Sequence, residues 1–571
     1  MYTASTAFLD ALSEAGVTHI FANFGSDHPG LIEAIAEARA KGRTIPRVIT
    51  CPYEMAGMSA AHGFAQVSGQ AQAVIVHVEC GTQALAGAVH NAAKGRVPML
   101  IFAGASPFTQ EGEMRGGRNE FIQWIQDVHD QRGIVRGYMK YDNEVRTGRN
   151  VKQLVHRAMQ FAGSEPRGPV YLMGAREVME EEIADPVTID PGQWGALAPA
   201  ALPEASVRTI LDALAKAERP LVVTSYVGRN PAAVPELVRF CERLGIGVLE
   251  SVPTAMNFPH DHPLYRGNQW NEPRQNQALA DADCVLVIDS DVPWIPTINR
   301  PAADAMIIHM DVDPLKEAMP LWYIGARHAF RTDAATALGQ LNAALDAAAP
   351  PDDVVDARSR HHGAASAARR EGLAALEAGA TDAITPEFAT ACVRRHVDAD
   401  TIVLNEGITN YPVIFNHMQM CEPGSIFTSG GGSLGWNGGA AIGAKLAAPD
   451  KTVVAMTGDG SYMFSVPSSV HWMAARYGTP FLQIVYNNGG WKAPRFSALG
   501  VHPDGYASRA DDLDISFDPV PRYADIAAAA GGAFGRRVER PEELEAAVAE
   551  AFDMVRNKGR SAVLDIWLSR S

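Results

Sequence analysis

Two polar motifs in the last third of the sequence have residue types that suit a metal and phosphate site. GDGS at 458–461 follows the apolar run 453–457, and NNGG at 487–490 follows a second apolar run. If the two runs are neighbouring parallel strands, both motifs lie at the carboxyl edge of one sheet, and Asp459 meets Asn488 there. Carboxylate and amide oxygens suit magnesium that carries diphosphate oxygens. The glycines allow close backbone approach, and the N–H groups that begin the next helix favour phosphate.

Other interpretations of these glycine-rich segments stay open at this point. Asp-Gly and Asn-Gly are common turn dipeptides, so either motif alone also fits an ordinary turn. The run 430–435 matches G-x-G-x-x-G after an apolar stretch, a pattern typical of a nicotinamide dinucleotide site. A single match of that kind is weak evidence for such a site.

Taken together, the GDG and NN motifs resemble the cofactor signature of thiamine-diphosphate enzymes. The resemblance implies thiamine diphosphate and Mg²⁺ as cofactors, with the metal held by Asp459, Asn488 and the carbonyl of Gly490. It implies a cofactor-binding set of Glu54, Gly432, Leu434, Gly458, Asp459, Gly460, Ser461, Asn488 and Gly490. The stretch between the two motifs is about two residues longer than is usual in that family, around residues 466–469.

The same resemblance assigns roles around the cofactor's aminopyrimidine ring. In the family, the segment matching 429–436 receives this ring; Leu434 is then the apolar wedge that bends the cofactor, and the Gly432 carbonyl accepts from the exocyclic amine. Glu54, in a segment similar to the family's Glu-led helix, is implied as the carboxylate that activates the cofactor through the pyrimidine. A glutamate in a first helical turn also fits a simple helix-dipole partner.

Two further candidates come from similarity to benzoylformate decarboxylase. The segment 21–27 is similar to a loop in which a serine contacts the substrate carboxylate, and 76–82 is similar to a strand that carries a catalytic histidine. The similarity implies Ser26 and His77 for these roles, and histidine titrates near working pH. The alternative for His77 is a core histidine at the end of a strand.

The expected reaction is decarboxylation of a 2-oxo acid, after which the resulting enamine is protonated or joined to a second carbonyl compound. Two departures bear on the reaction. Within residues 289–296, proline stands where benzoylformate decarboxylase has a second histidine. Residues 104–106 lack the glutamine that is usual in acetolactate synthase, and the Phe-Gln pair of that enzyme is only partly matched at 121–123. Acetolactate-synthase-like carboligation is therefore an alternative. A nicotinamide dinucleotide enzyme and a non-catalytic cofactor-binding relative are others, and flavin adenine dinucleotide (FAD) binding stays undetermined.

Alternating apolar runs and helical segments predict the elements that position these residues. We expect an α/β fold of three doubly wound parallel-sheet domains. Their predicted extents are 1–185 for the pyrimidine-binding domain, 200–345 for the central domain and 384–571 for the diphosphate-binding domain. Residues 346–383 are expected to be a partly helical, exposed connector, and the polar, patternless stretch 491–519, with Trp491, Lys492 and His502, a lid.

Composition limits the classes of function. The 571 residues contain 49 basic and 65 acidic side chains, a net charge of −16 that disfavours nucleic-acid binding. No apolar run reaches the roughly 18 residues of a membrane helix, and the six cysteines lack metal-site or disulfide spacing. We therefore expect a cytoplasmic enzyme without a membrane or nucleic-acid partner. The family resemblance implies self-association, at least a homodimer and commonly a tetramer, with the active site between subunits.

Overall fold

The computed structural model describes residues 2–322, 324–347, 350–378, 382–510 and 513–569. In these ranges, 18 strands form three parallel sheets of six strands each, with helices between them. The predicted α/β fold of three parallel-sheet domains is confirmed. We refer to each sheet with its helices as the first, central or third domain.

The first domain contains the strand order β2-β1-β3-β4-β6-β5. Its two central strands, β3 and β4, are fully buried, as expected when helices cover both faces of a parallel sheet. The strands are β1 (His19–Ala22), β2 (Arg47–Thr50), β3 (Gln72–Val76), β4 (Met99–Ala105), β5 (Tyr141–Val145) and β6 (Pro169–Ala175). The helices are α1 (Ala4–Glu14), α2 (Pro29–Ala40), α3 (Glu54–Ser68), α4 (Val78–Ala84), α5 (Ala86–Lys94), α6 (Ile122–Ile125), α7 (Val151–Gly163) and α8 (Arg176–Met179).

The central domain has the strand order β12-β11-β10-β7-β8-β9. Successive strands are therefore added outward from β7 on one side and outward from β10 on the other. Its strands are β7 (Pro220–Thr224), β8 (Gly247–Ser251), β9 (Tyr265–Gln269), β10 (Cys284–Ile288), β11 (Met306–Asp311) and β12 (His328–Arg331). Its helices are α9 (Glu204–Lys216), α10 (Ala233–Leu244), α11 (Gln277–Asp281) and α12 (Ala334–Ala347).

The segment expected to be an exposed connector is mainly one continuous helix, α13 (Asp352–Leu376), and one face of it is buried. Arg358 on that face donates hydrogen bonds to the carbonyls of Leu244, Leu214 and Ala217 in the central domain. The connector is therefore helical, as partly expected, but it is not exposed on this face, because free carbonyls at helix ends accept hydrogen bonds from a buried guanidinium.

The third domain repeats the order of the first, as β14-β13-β15-β16-β18-β17. Its strands are β13 (Thr401–Glu406), β14 (Ile426–Phe427), β15 (Thr452–Gly458), β16 (Leu482–Asn487), β17 (Phe534–Val538) and β18 (Ala562–Trp567). Its helices are α14 (Pro386–Arg394), α15 (Tyr411–Met418), α16 (Trp436–Ala447), α17 (Asp459–Phe464), α18 (Pro467–Tyr477), α19 (Lys492–Val501), α20 (Tyr523–Gly531) and α21 (Pro541–Arg556). The stretch 491–519 is thus not patternless, since it contains α19.

The first and third domains share one hydrophobic core, built around α3 and α16. Glycines permit this close crossing of the two helices. A Cβ on Gly63 would lie 2.2 Å from the carbonyl oxygen of Ala440, which leaves no room for any other residue at position 63. The packing fixes how the two ligand-site domains sit relative to each other.

A buried ion cluster joins the first domain to the central one. Arg96 is only 5 % exposed, and its guanidinium lies 2.8 Å from Asp291 and 3.1 Å from Asp311, over the ring of Tyr226. Burial, with the neighbouring Asp311 carboxylate, raises the pKa of Asp289 to about 7. Removing one partner would leave the other buried charges unpaired, which is strongly destabilising. The cluster therefore stabilises the contact between the two domains.

In the described part of the chain, none of the helices combines the length and apolar character that crossing a bilayer requires.

Candidate functional site

The loops after β15 and β16 meet at one edge of the third sheet. The two strands pair in parallel, so Asp459, the first residue of α17, lies beside the loop that contains Asn488. One carboxylate oxygen of Asp459 accepts from the N–H of Gly489 at 2.8 Å and of Gly490 at 3.1 Å. The other accepts from the N–H of Gly460 at 2.7 Å. The aspartate thus organises both motifs into a single pocket.

Two buried oxygens in this pocket have no hydrogen-bond partner among the described residues. They are Oδ1 of Asn488 and Oγ of Ser461. Burial raises the pKa of Asp459 to about 6, although backbone N–H groups oppose the change. Leaving a buried oxygen unpaired costs about 1–3 kcal/mol, so this set of hard oxygens is chemically suited to a bound cation or polar ligand.

The segment 491–519 starts and returns at this pocket. Trp491 donates its N–H to the carbonyl of Ile515 at 2.8 Å, and Phe517 donates to the carbonyl of Gly489, also at 2.8 Å. A Cβ on Gly460 would lie 2.5 Å from the indole nitrogen of Trp491. The far end of the segment is therefore held against the pocket, while Asp511 and Asp512 lie outside the described residues.

The glycine run before α16 packs against α5 of the first domain. Gly432 donates its N–H to the His90 ring at 3.0 Å, and Ser433 exchanges two hydrogen bonds with the Asn91 side chain, at 2.8 and 3.0 Å. Leu434 is half-buried and Gly432 is exposed. The run is therefore a short interdomain loop with an apolar side chain at its end.

The side chain of a buried glutamate that sequence reasoning missed caps the N-terminus of α16. Glu406, at the end of β13, accepts N–H hydrogen bonds from Gly435, Trp436 and Asn437 at 2.7, 3.2 and 2.8 Å. Burial raises its pKa to about 7 against these bonds. Because its carboxylate already takes the N–H groups that a dinucleotide pyrophosphate would need, the geometry disfavours the nicotinamide alternative. The signal available was an acidic residue directly after an apolar strand.

Glu54 is the first residue of α3 and lies half-buried near α4 of the same domain. A Cβ on Gly81 would lie 3.3 Å from its Oε1. Burial raises the pKa of Glu54, while the positive charge of His77 opposes the rise. Glu54 thus sits where it can hold a proton closer to neutral pH than an exposed glutamate does.

His77 follows β3, and its two ring nitrogens face different partners. Nδ1 lies 2.5 Å from Oδ1 of Asp27, and Nε2 lies 2.5 Å from the amide nitrogen of Gln126. The hydrogen bond with Asp27 raises the pKa of His77, and the charges of Glu54 and Glu79 act in the same direction. Sequence reasoning named neither Asp27 nor Gln126, although Asp27 directly follows the candidate Ser26, which is half-buried.

The predicted site residues therefore form two groups within this chain. One group contains Glu54, His77 and Ser26 in the first domain, and the other contains Asp459, Asn488 and Gly490 in the third. Among the described residues, no hydrogen bond or ion pair joins the first group to the second.

The chain is similar to known proteins over nearly its whole length. Residues 2–134 match the thiamine pyrophosphate enzyme N-terminal TPP binding domain, 207–340 the central domain, and 407–566 the C-terminal TPP binding domain. A benzoylformate decarboxylase of Pseudomonas aeruginosa is 26 % identical over 90 % of this chain and 92 % of its own. An acetolactate synthase of Bacillus subtilis is 23 % identical over 94 % of this chain and 88 % of its own. The structure of a 4-hydroxybenzoylformate decarboxylase from Rhodococcus jostii superposes with a TM-score of 0.79 at 20 % identity, covering 100 % of both chains.

Proposed function

Because this chain belongs to the thiamine pyrophosphate enzyme family, we propose that it uses thiamine diphosphate and Mg²⁺ to decarboxylate a 2-oxo acid. The observation that carries the proposal is the third-domain pocket, where Asp459 organises two loops around unpaired buried oxygens. Relatives named as a decarboxylase and as a synthase of the same family are similar over nearly the whole chain.

The third-domain residues fit a magnesium diphosphate group. Asp459, Oδ1 of Asn488 and the carbonyl of Gly490 would hold the metal, since they are hard oxygens and one of them lacks any other described partner. Gly458 directly precedes α17, and Gly460 and Ser461 lie in its first turn; these three residues would take the diphosphate. Gly432 and Leu434, at the α5 contact, would receive the aminopyrimidine.

When bound, the cofactor supplies a carbon nucleophile that adds to the keto group and accepts the electron pair released as carbon dioxide leaves. Glu54 would hold and move the proton at the pyrimidine ring that generates this nucleophile. A carboxyl group of raised pKa suits that task, because it keeps its proton to a higher pH than an ordinary glutamate does. Glu54 would therefore be the first residue to act.

Ser26 and His77 would act on the substrate. The Ser26 hydroxyl would orient the substrate carboxylate, and Nε2 of His77 would deliver a proton to the reacting carbon or oxygen. If the reacting carbon is protonated, the reaction is a simple decarboxylation. If it instead bonds to a second carbonyl compound, the reaction is a carboligation. Gln126, which contacts His77, lies where it would influence this choice.

We further propose that the active site is completed by a second copy of the chain. Among the described residues, no hydrogen bond or ion pair joins the group of Glu54 to the group of Asp459, so a second copy would bring its third-domain group to the first-domain group. Large apolar side chains are exposed beside Gln126, including Phe121 at 76 % and Ile125 at 70 %. An exposed apolar patch of this kind favours a protein interface, so we expect at least a homodimer.

The proposed function is tested with purified protein and a panel of 2-oxo acids with small aliphatic, aromatic, acidic and basic side chains. Carbon dioxide is measured with both thiamine diphosphate and Mg²⁺ present and with each omitted in turn. We expect release from at least one acid that needs both additions. Aldehyde as the product supports simple decarboxylation, and a hydroxyketone supports carboligation. Absence of cofactor-dependent carbon dioxide release across the panel would contradict the proposal.

A further inference from the structure

The buried carboxylate of Asp27 contacts the His77 ring at Nδ1, the nitrogen opposite the one that faces Gln126. Asp27 lies in the loop after β1 and His77 directly follows β3, and these strands are neighbours in the first sheet. The Asp27 side chain is only 2 % exposed, and its Oδ1 lies 2.5 Å from Nδ1 of His77. Nothing in the sequence motifs or in the proposed catalytic set assigns a role to Asp27.

The same carboxylate also holds the backbone beyond His77. Oδ2 of Asp27 accepts the N–H of Val78 at 3.0 Å. Val78 has φ +32°, a left-handed conformation that a β-branched residue rarely adopts. Asp27 therefore fixes both the ring and the strained peptide that follows it, which is more than an incidental contact achieves.

Two glycines make room for the pair. A Cβ on Gly25 would lie 2.0 Å from Nδ1 of His77, and a Cβ on Gly104 would lie 1.9 Å from Oδ2 of Asp27. Any larger residue at either position would displace the ring or the carboxylate. The geometry of Asp27 and His77 thus depends on two separate segments of the first domain.

The groups around the ring define which nitrogen is free. With Asp27 accepting at Nδ1, that nitrogen carries a proton, and Nε2, which faces the side-chain amide of Gln126, is the nitrogen left to gain and lose a proton. The charged groups that face His77 are Asp27, Glu54 from α3 and Glu79 from α4, all of which favour the imidazolium. Nδ1 of His28 lies 3.0 Å from Oδ1 of Asp27 and 3.1 Å from the backbone nitrogen of Gly25.

We propose that Asp27 is a positioning residue that keeps Nδ1 of His77 protonated, so that Nε2 is the nitrogen that exchanges protons in catalysis. The inference rests on the proposed function, in which His77 delivers a proton. In each turnover Nε2–H gives its proton to the reacting centre and regains one from water, while Nδ1–H stays in place and Asp27 stays ionised. Burial opposes ionisation of Asp27, but His28 and His77 hold its pKa well below the usual range.

The test reads the proton state of His77 without requiring turnover. The holoenzyme is treated with diethylpyrocarbonate, which modifies neutral imidazole, and the modified peptide that contains His77 is quantified by mass spectrometry between pH 5 and 9. In the wild-type protein we expect the midpoint above 6.5, the ordinary histidine value. In Asp27→Asn it should move down by about 1–3 pH units, because the facing negative charge is gone. Asp185→Asn, an exposed aspartate, serves as the matched control.

Kinetics then separate positioning from a structural role. In Asp27→Asn, kcat at neutral pH should fall at least about 10-fold with little change in KM, and the pH profile of kcat should move with the His77 midpoint. A wild-type midpoint at or below 6.5, or equal midpoints in wild type and variant, would overturn the proposal even if Asp27→Asn folds poorly. A midpoint that moves while the activity profile does not would overturn it too. Lack of any thiamine-dependent activity, with the midpoint shifted, would count against the proposed function instead.

Discussion

Gly443 of α16 lies directly against Ala60 of α3, so closely that a Cβ on Gly443 would be 1.8 Å from the Ala60 carbonyl oxygen. The neighbour is backbone and cannot move aside without shifting a helix. The contact lies in the core shared by the first and third domains, which hold the two groups of candidate site residues.

We therefore predict that Gly443→Ala destabilises the protein by about 1–3 kcal/mol or more, as overpacked cores do. Gly372→Ala, in α13 with no atom within 4 Å of the added Cβ, is the control and should be neutral or slightly stabilising. Melting temperatures measured by calorimetry check both variants. Equal melting temperatures for Gly443→Ala and wild type would refute this packing.

The metal assignment predicts a linked loss of cofactor and metal binding. In Asp459→Asn, affinity for thiamine diphosphate at saturating Mg²⁺ should fall at least about 10–100-fold, because a charged ligand and the organiser of both loops is lost. Chelation of Mg²⁺ should weaken binding to the wild type and have little further effect on the variant. Titration calorimetry measures both, with exposed Asp450→Asn as control. Wild-type affinity in Asp459→Asn would show that the metal lies elsewhere.

Glu406 predicts a pH dependence of stability. Its pKa is about 7 in the folded chain against an ordinary 4.5, so between these values the folded chain keeps a proton that the unfolded chain has lost. The stability of the wild type relative to Glu406→Gln should therefore decrease as pH rises from 4.5 to 7. Melting temperatures of the two proteins at pH 5 and pH 7 measure this gap. A gap that stays constant, or that widens in favour of the wild type, would contradict burial of the carboxyl group.

If the active site is completed by a second copy of the chain, a substitution that prevents self-association should also lower activity. Ile125→Asp places a charge in the exposed apolar patch beside Gln126, and it should favour the monomer and lower cofactor-dependent activity together. Leu376→Asp, at the end of α13 and 57 % exposed, is the control and should change neither. Sedimentation velocity at several protein concentrations checks the first effect. A monomeric wild type with full activity would argue against a site shared between subunits.

The sequence predicted buried strands well and edge strands poorly. β15 and β16 are continuous apolar runs that end in glycine-rich turns, which a parallel sheet covered on both faces requires. The missed strands β5, β9, β12 and β17 each lie at an edge of a sheet. The sequence YDNEV of β5, for example, is mainly half-exposed and polar, so no apolar run marks that strand.

The candidate site shows a similar limit. Asp459 and Asn488 were identifiable because each directly follows a strand, and strand order alone places them together. Asp27 and His77 are 50 positions apart, and their pairing depends on the strand order and on two glycines elsewhere. Contacts of that kind arise from tertiary packing, and a single sequence carries no local pattern for them.

The central claim, that Glu54 activates bound thiamine diphosphate, is tested most directly without any substrate. Exchange of the cofactor's reactive thiazolium C–H for deuterium is followed by acid quench and NMR in wild type, Glu54→Gln and the exposed control Glu33→Gln. We predict that wild type and Glu33→Gln exchange far faster than free cofactor, and that Glu54→Gln, while still binding the cofactor, exchanges at least about 100-fold more slowly than wild type. Exchange in Glu54→Gln at the wild-type rate would contradict the account.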